Sequence, residues 1–374
     1  MKIKLLKFID KIVGVIVSVC PRSAQECQFP TPMRILLIRP GGIGDAALLA
    51  QIIIDIKKLF PDSHITILAE RRNSGVFTLF PNVDEMLCYD RVREFSRVLC
   101  GKYDVVIDTE QSHCLSAVVA RLVRAPVKIG FETNERRRMF THGIRYDHSA
   151  YESDNFLALL EPLGVNCPQD VGTELLTVPL QSVSKATILL QPLISEKFVA
   201  MFPGASVLEK RWGADRFRRV AEMLSIFGIP VVVVGGKEDR QQGEVITAGG
   251  LGLNLAGITS LSETAAVIQK SSLLLSGDSG VLHIAVGLCV PTVSLFGPGN
   301  VKKWGPRGDH HIVINKGLPC SPCTVFGTIP PCPINAQCMR DISVDEVVNA
   351  VTMLLTSVGA MPSQCCKRDW IETA

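Results

Sequence analysis

The chain is expected to be an α/β protein built as two doubly wound domains facing across a cleft. Three observations predict this. Short apolar runs alternate with helical patterns, which is how parallel sheets covered by helices on both faces read in sequence. The alternation comes in two series, residues 34–163 and 198–356, with a lapse around 168–197. Each series also carries a glycine turn after a buried run, at Gly41 and at Gly277, the edge at which such folds bind ligands.

Composition agrees. A length of 374 residues suits two domains, and 47% hydrophobic against 20% charged residues allows two sizeable cores. A net charge of +3 is too small for a general nucleic-acid binder, so no nucleic-acid partner is expected. The thirteen cysteines are mostly scattered singly and read as buried free thiols in a reducing compartment rather than a disulfide framework.

The expected domains are a segment and linker over 1–32, an N-terminal domain over 33–180, a C-terminal domain over 181–358 and a tail over 359–374. The first twenty residues place Lys2, Lys4, Lys7 and Lys11 among apolar residues. They fit an amphipathic helix lying on an anionic membrane face, or one docked on the protein's own surface. Residues 34–38 read as a buried strand, and a helix is expected from Asp45 to about Phe60. Strands follow at 64–69, 84–88, 103–108 and 127–130, with helices at 115–123 and 150–163. In the second series, strands are expected at 198–202, 230–234 and 254–256, and helices at 215–227 and 261–269, the last started with help from Ser262 and Thr264. Residues 272–298 read as strand, polar turn, helix and strand. A helix over 343–356 takes Ser343 as its cap.

Four turns could carry chemistry. The 276–280 turn, Ser-Gly-Asp-Ser-Gly, aims backbone N–H groups at one point ahead of a helix, which suits a phosphate; a plain tight turn is the other reading. Gly42-Ile43-Gly44-Asp45 begins a formal dinucleotide fingerprint. However, Arg39-Pro40-Gly41 lengthen the loop, and Asp45 would repel a pyrophosphate. Asp45 can instead accept a proton from a hydroxyl, or merely cap its helix. Lys210 and Arg211 could reach a leaving phosphate, or belong to a solvated loop anchored by Trp212. Lys237 or Glu238 could meet a ribose or base, or lie on the surface.

Together these turns resemble glycosyltransferase family 9, the heptosyltransferase-like enzymes of lipopolysaccharide core assembly. The resemblance runs from about Arg34 to Leu355. It rests on the Gly41–Asp45 turn, on Pro203-Gly204-Ala205 with Lys210-Arg211-Trp212, and on Gly277–Gly280 with His283 and Phe296-Gly297-Pro298. It implies a GT-B fold and inverting sugar transfer without an essential metal or other cofactor. It also implies that Asp45 is the catalytic base and that Lys210 contacts the donor phosphates. Gly204, Glu238, Asp278, Ser279, Gly280 and His283 would complete the donor site. The donor implied is a nucleotide-sugar, ADP-heptose first, and the acceptor a lipopolysaccharide or other lipid-linked sugar.

Gly42, Gly44, Arg71, Arg72 and Arg137 are the expected acceptor-side residues. The three arginines belong to basic groups, Arg71-Arg72 and Arg136-Arg137-Arg138, that would draw a phosphorylated lipid. With the N-terminal segment they favour work at the cytoplasmic face of a membrane. A nucleotide-sugar epimerase of the same fold, an NAD-dependent oxidoreductase and a non-catalytic sugar-nucleotide binder are the competing readings. Cys320, Cys323, Cys332 and Cys338 begin with C-x-x-C and could hold a structural zinc. Their later spacing is unfamiliar, and unliganded thiols are the expectation.

Overall fold

The structure, a computed structural model, describes residues 33–164, 174–193, 195, 197–324 and 328–361. The expected N-terminal amphipathic helix and residues 362–374 of the tail lie outside them. The chain divides into two compact units, Met1–Asp170 and Val171–Ala374.

The first unit runs β1 (Arg34–Arg39), α1 (Ile43–Ala47), α2 (Ala50–Leu59), β2 (His64–Ala69), β3 (Glu85–Cys88), α3 (Val92–Cys100), β4 (Val105–Asp108), α4 (Cys114–Leu122), β5 (Val127–Phe131), β6 (His142–Ile144) and α5 (Glu152–Ala158). Its six strands form one parallel sheet in the order β3-β2-β1-β4-β5-β6. Both faces of a parallel sheet are covered, which is why Ile35–Ile38 and Val105–Ile107 are unbroken apolar runs, all buried.

The second unit runs α6 (Leu180–Leu190), β7 (Val199–Phe202), α7 (Ala214–Ile226), β8 (Val231–Val233), α8 (Arg240–Thr247), β9 (Gly252–Asn254), α9 (Leu261–Lys270), β10 (Leu273–Gly277), α10 (Gly280–Gly287), β11 (Thr292–Phe296), α11 (Val301–Trp304), β12 (His311–Asn315), α12 (Gln337–Arg340) and α13 (Val344–Ser357). Its sheet order is β12-β11-β10-β7-β8-β9. Counted from its own first strand, that is the same doubly wound order as in the first unit. The order reverses between β1 and β4 in one sheet and between β7 and β10 in the other. These are the topological switch points, where such sheets take their ligands.

Several expectations need correction. The helix expected from Asp45 to Phe60 is two helices, because the chain tightens at Leu49, whose N–H reaches back only to the Ala46 carbonyl at 3.2 Å. Ser262 and Thr264 do not start α9. Ser260 does, accepting from Glu263 N at 3.4 Å while the Glu263 carboxylate takes the Ser260 N–H at 2.7 Å. The stretch where alternation lapsed contains α6, whose Leu180 and Ile188 are exposed and blur the one-sided apolar pattern. Nor are the cysteines generally buried: Cys100, Cys289 and Cys320 are exposed, while Cys88 and Cys338 lie in the interior.

Candidate active site

In the first unit the switch point is built around Arg39, the last residue of β1. Its side chain is only 2% exposed and its Nη2 pairs with Asp45 Oδ2 at 3.0 Å. Its Nη1 donates to the Thr109 carbonyl at 2.8 Å, just past β4. Gly41, at φ 100°, carries the chain round the guanidinium, and a Cβ there would sit 3.3 Å from Nη2. Asp45 is not the cap of α1. That place belongs to Gly42, and Asp45 is the third residue of the helix, with no capping bond from its side chain. Its carboxylate is 26% exposed, and Oδ1 stands outside the ion pair. Gly44 is the second residue of the helix, just before Asp45, and Gly42 has open space where a Cβ would be.

Beneath Asp45 lies a buried polar layer. Arg136 pairs with Asp108 at 2.7 Å, both fully buried, and donates to the Glu110 carbonyl. Burial pushes the Glu110 carboxyl upward, but the charges of Arg39 and Arg136 outweigh this and hold it below its usual range. Glu110 Oε1 also accepts from Ser112 N at 3.1 Å and His113 N at 3.3 Å, immediately before α4. Glu152, buried on α5, accepts from Tyr146 Oη at 2.7 Å and from Gln111 Nε2. Arg136 therefore does not belong to a surface basic patch; it neutralises Asp108 in the interior. Arg137 is exposed beyond β5, and Arg71 and Arg72 are exposed beyond β2, Arg72 paired with Glu70. The expected acceptor-side arginines thus flank the switch point on the carboxyl edge of one sheet.

In the second unit the switch point joins Lys210 to Asp278. Their charges meet at 2.6 Å with side chains 16% and 9% exposed. Lys210 closes the loop after β7, within the short 3-10 turn Leu208–Lys210. Arg211 does not offer its fork to a ligand, because Nε and Nη2 both donate to the Ala205 carbonyl at 3.2 and 3.1 Å. Trp212 is the anchor expected of it. It is buried and donates to the Ile342 carbonyl at 3.0 Å.

Asp278 follows β10, and a Cβ on Gly299 would collide with its Oδ2. Ser279 caps α10 by accepting from Leu282 N at 3.4 Å, and Gly280 is the helix's first residue. His283 lies one turn on and is buried. Beside them a carboxylate that sequence reasoning passed over, Asp239, explains two glycines. A Cβ on Gly204 would collide with Asp239 Oδ1, and one on Gly235 would come within 2.6 Å of Oδ2. Asp239 Oδ2 accepts from Gly236 N at 2.9 Å, yet burial pushes its carboxyl above the usual range. Glu238 next to it is exposed.

The late cysteines gather near Gly297 and Pro298. Cys323 N donates to the Pro298 carbonyl at 3.2 Å, Cys332 Sγ accepts from Ala336 N at 3.2 Å, and Cys338 is buried beside Gly297. Among the described residues, no group of three or more His, Cys, Asp and Glu side chains is set to hold a metal ion.

Two doubly wound units of one strand order form the GT-B architecture. A family model for glycosyltransferase family 9 (heptosyltransferase) matches residues 92–331, and the chain belongs to that family. It is a glycosyltransferase using a nucleotide-sugar donor and an acceptor of the glycolipid type. Lipopolysaccharide heptosyltransferase 3 of Escherichia coli is 26% identical over 299 residues, covering 72% of this chain and 85% of that protein. The lipopolysaccharide core heptosyltransferase OpsX of Haemophilus influenzae is 25% identical over 299 residues, covering 76% and 84%. Among solved structures, the family 9 glycosyl transferase of Veillonella parvula superposes with a TM-score of 0.74 at 24% identity, covering 87% of this chain and 97% of that one. Escherichia coli ADP-heptose lps heptosyltransferase II gives 0.72 at 22% identity, covering 88% and 100%. These two likenesses establish the fold.

Proposed function

We propose that the chain transfers heptose from ADP-heptose to a lipopolysaccharide core or related glycolipid acceptor, with inversion at the anomeric carbon. The acceptor hydroxyl oxygen attacks that carbon, its proton passes to Asp45, and the bond to the donor diphosphate breaks. The observation that carries this reading is the state of Asp45, an uncapped carboxylate at a switch point with one oxygen held and the other open. A group placed to take a proton in the transition state contributes about 10²–10⁴-fold. Lys210, with the N–H groups of the 277–280 turn at the start of α10, stabilises the departing diphosphate electrostatically. No metal is needed for that role. Gly204, Glu238 and His283 complete the donor site. Gly42, Gly44, Arg71, Arg72 and Arg137 meet the acceptor, whose phosphates the arginines attract.

The heptose assignment rests on the relatives, which are named as heptosyltransferases. The reading places the protein at the inner face of the cytoplasmic membrane, held there by its N-terminal segment. Within the described residues no helix is long and apolar enough to cross a membrane.

The test is a calorimetric screen against ADP-heptose, UDP-sugars and GDP-sugars, followed by a transfer assay on Asp45→Ala. Donor binding that survives in Asp45→Ala while transfer disappears is the expected result. Tight binding to a UDP-sugar alone would remove the heptose assignment, and an active Asp45→Ala would remove Asp45 as the base.

A further inference from the structure

We propose that Arg39 is a positioning residue for the transfer, fixing Asp45 so that Oδ1 faces the acceptor hydroxyl. This rests on the reading of Asp45 as the base.

Besides holding Glu110 low, Arg39 has one ion-pair partner among the described residues, Asp45. It is 1% exposed overall, so it does not touch a substrate. Its guanidinium is clamped on three sides. Nη1 is tied to the Thr109 carbonyl at 2.8 Å, Nη2 to Asp45 at 3.0 Å, and the Phe156 ring lies 5.6 Å from the guanidinium carbon. The clamp is itself built on the two central strands. Thr109 N and Oγ1 both donate to the Ile38 carbonyl, at 3.1 and 2.9 Å. The Arg39 carbonyl accepts from the buried Asn73 Nδ2 at 3.1 Å. A rigid fork between a strand end and a helix thus reaches the one acidic residue in the first turn of α1.

Asp45 needs such a fork. It stands at the rim, 26% exposed, and α1 gives it no capping bond. Without the guanidinium its carboxylate would turn among rotamers, and a misplacement of about 1 Å in a reacting group costs about 10²-fold in rate. A lysine would keep the charge but lose the planar two-point grip, so Arg39→Lys separates charge from position. The other neighbours that sense this charge are Glu110, which Arg39 holds low, and Tyr146, which feels both Arg39 and Asp45.

The experiment is steady-state kinetics on Arg39→Lys and Asp45→Asn of the full chain, with thermal melting of each. Arg39→Lys should lower kcat about 10²-fold, leave both KM values within about threefold, and melt near the wild type. Arg39→Ala should recover part of its kcat when methylguanidinium, but not methylammonium, is added. A purely structural Arg39 would move the melting point and leave kcat per folded molecule unchanged, and that result overturns the proposal. If Arg39→Ala does not fold, the Arg39→Lys rate decides alone. The two readings fail differently. An inactive Asp45→Asn beside a fully active Arg39→Lys sinks the positioning role and spares the base, whereas an active Asp45→Asn sinks both.

Discussion

The two units repeat one strand order and arm it in opposite ways. Beyond β4 in the first unit, the backbone N–H groups of Ser112 and His113 ahead of α4 already hold an anion, the Glu110 carboxylate. At the matching place beyond β10 in the second unit stand Gly277, Asp278, Ser279 and Gly280, and α10 keeps only its Ser279 cap. A helix start filled by its own carboxylate has no room for a phosphate, whereas one lined by small residues does. The ion pairs differ in the same sense. In the first unit the cation is buried and the anion stands at the rim, where the proposed function has it accept a proton. In the second, Lys210 is the more exposed partner, and on the proposed assignment an incoming diphosphate takes it over from Asp278. A shared fold therefore does not imply a shared ligand; the residue types at the strand ends decide it.

Breaking the buried layer of the first unit should give the largest effect. Arg136→Met strands Asp108 as an uncompensated buried charge, a loss of about 3–5 kcal/mol, and calorimetry should find the first unit melted or unfolded. The matching change in the second unit, Lys210→Met, should leave the fold standing and cut kcat by about 10²–10³-fold, read in the transfer assay with donor affinity measured alongside. A pair of glycines sharpens the contrast further. Gly204→Ala meets Asp239 and should destabilise the second unit by about 1–3 kcal/mol. Gly42→Ala, with open space at its Cβ, should leave the melting point unchanged.

The smallest measurable change is a pH dependence that His311 gives the second unit. Burial pushes His311 on β12 down to about 4, so the unfolded chain takes up the proton first. That stability is complete above the ordinary histidine value and is lost as pH falls toward 4, by about 1 kcal/mol for a half-buried ring. His311→Gln should flatten that slope in melts between pH 7 and 4.5.

Much of the fold was legible because parallel strands buried on both faces are unbroken apolar runs. β1, β2, β4, β10 and β11 stand out for that reason. β12 was missed because it is an edge strand with half-buried residues, and α3 because Val92 and its charged neighbours point outward. At the candidate site, the glycine turns and Lys210 could be read from spacing. The partners could not. Arg39 reads as the start of a loop, Arg136 as one of three surface arginines, and Asp239 as part of a polar turn. Arg39 and Arg136 neutralise carboxylates 6 and 28 positions away, Asp45 and Asp108, and Asp239 packs against Gly204, 35 positions away; only the folded sheet brings them together.

The repeated strand order has an evolutionary consequence. Each unit closes its own ion pair from its own residues, Arg39 with Asp45 and Lys210 with Asp278. On the proposed assignment, acceptor preference can drift through changes in one half without resetting donor chemistry in the other. A chimera that takes its first half from a relative with a different acceptor would inherit that acceptor and keep this chain's donor.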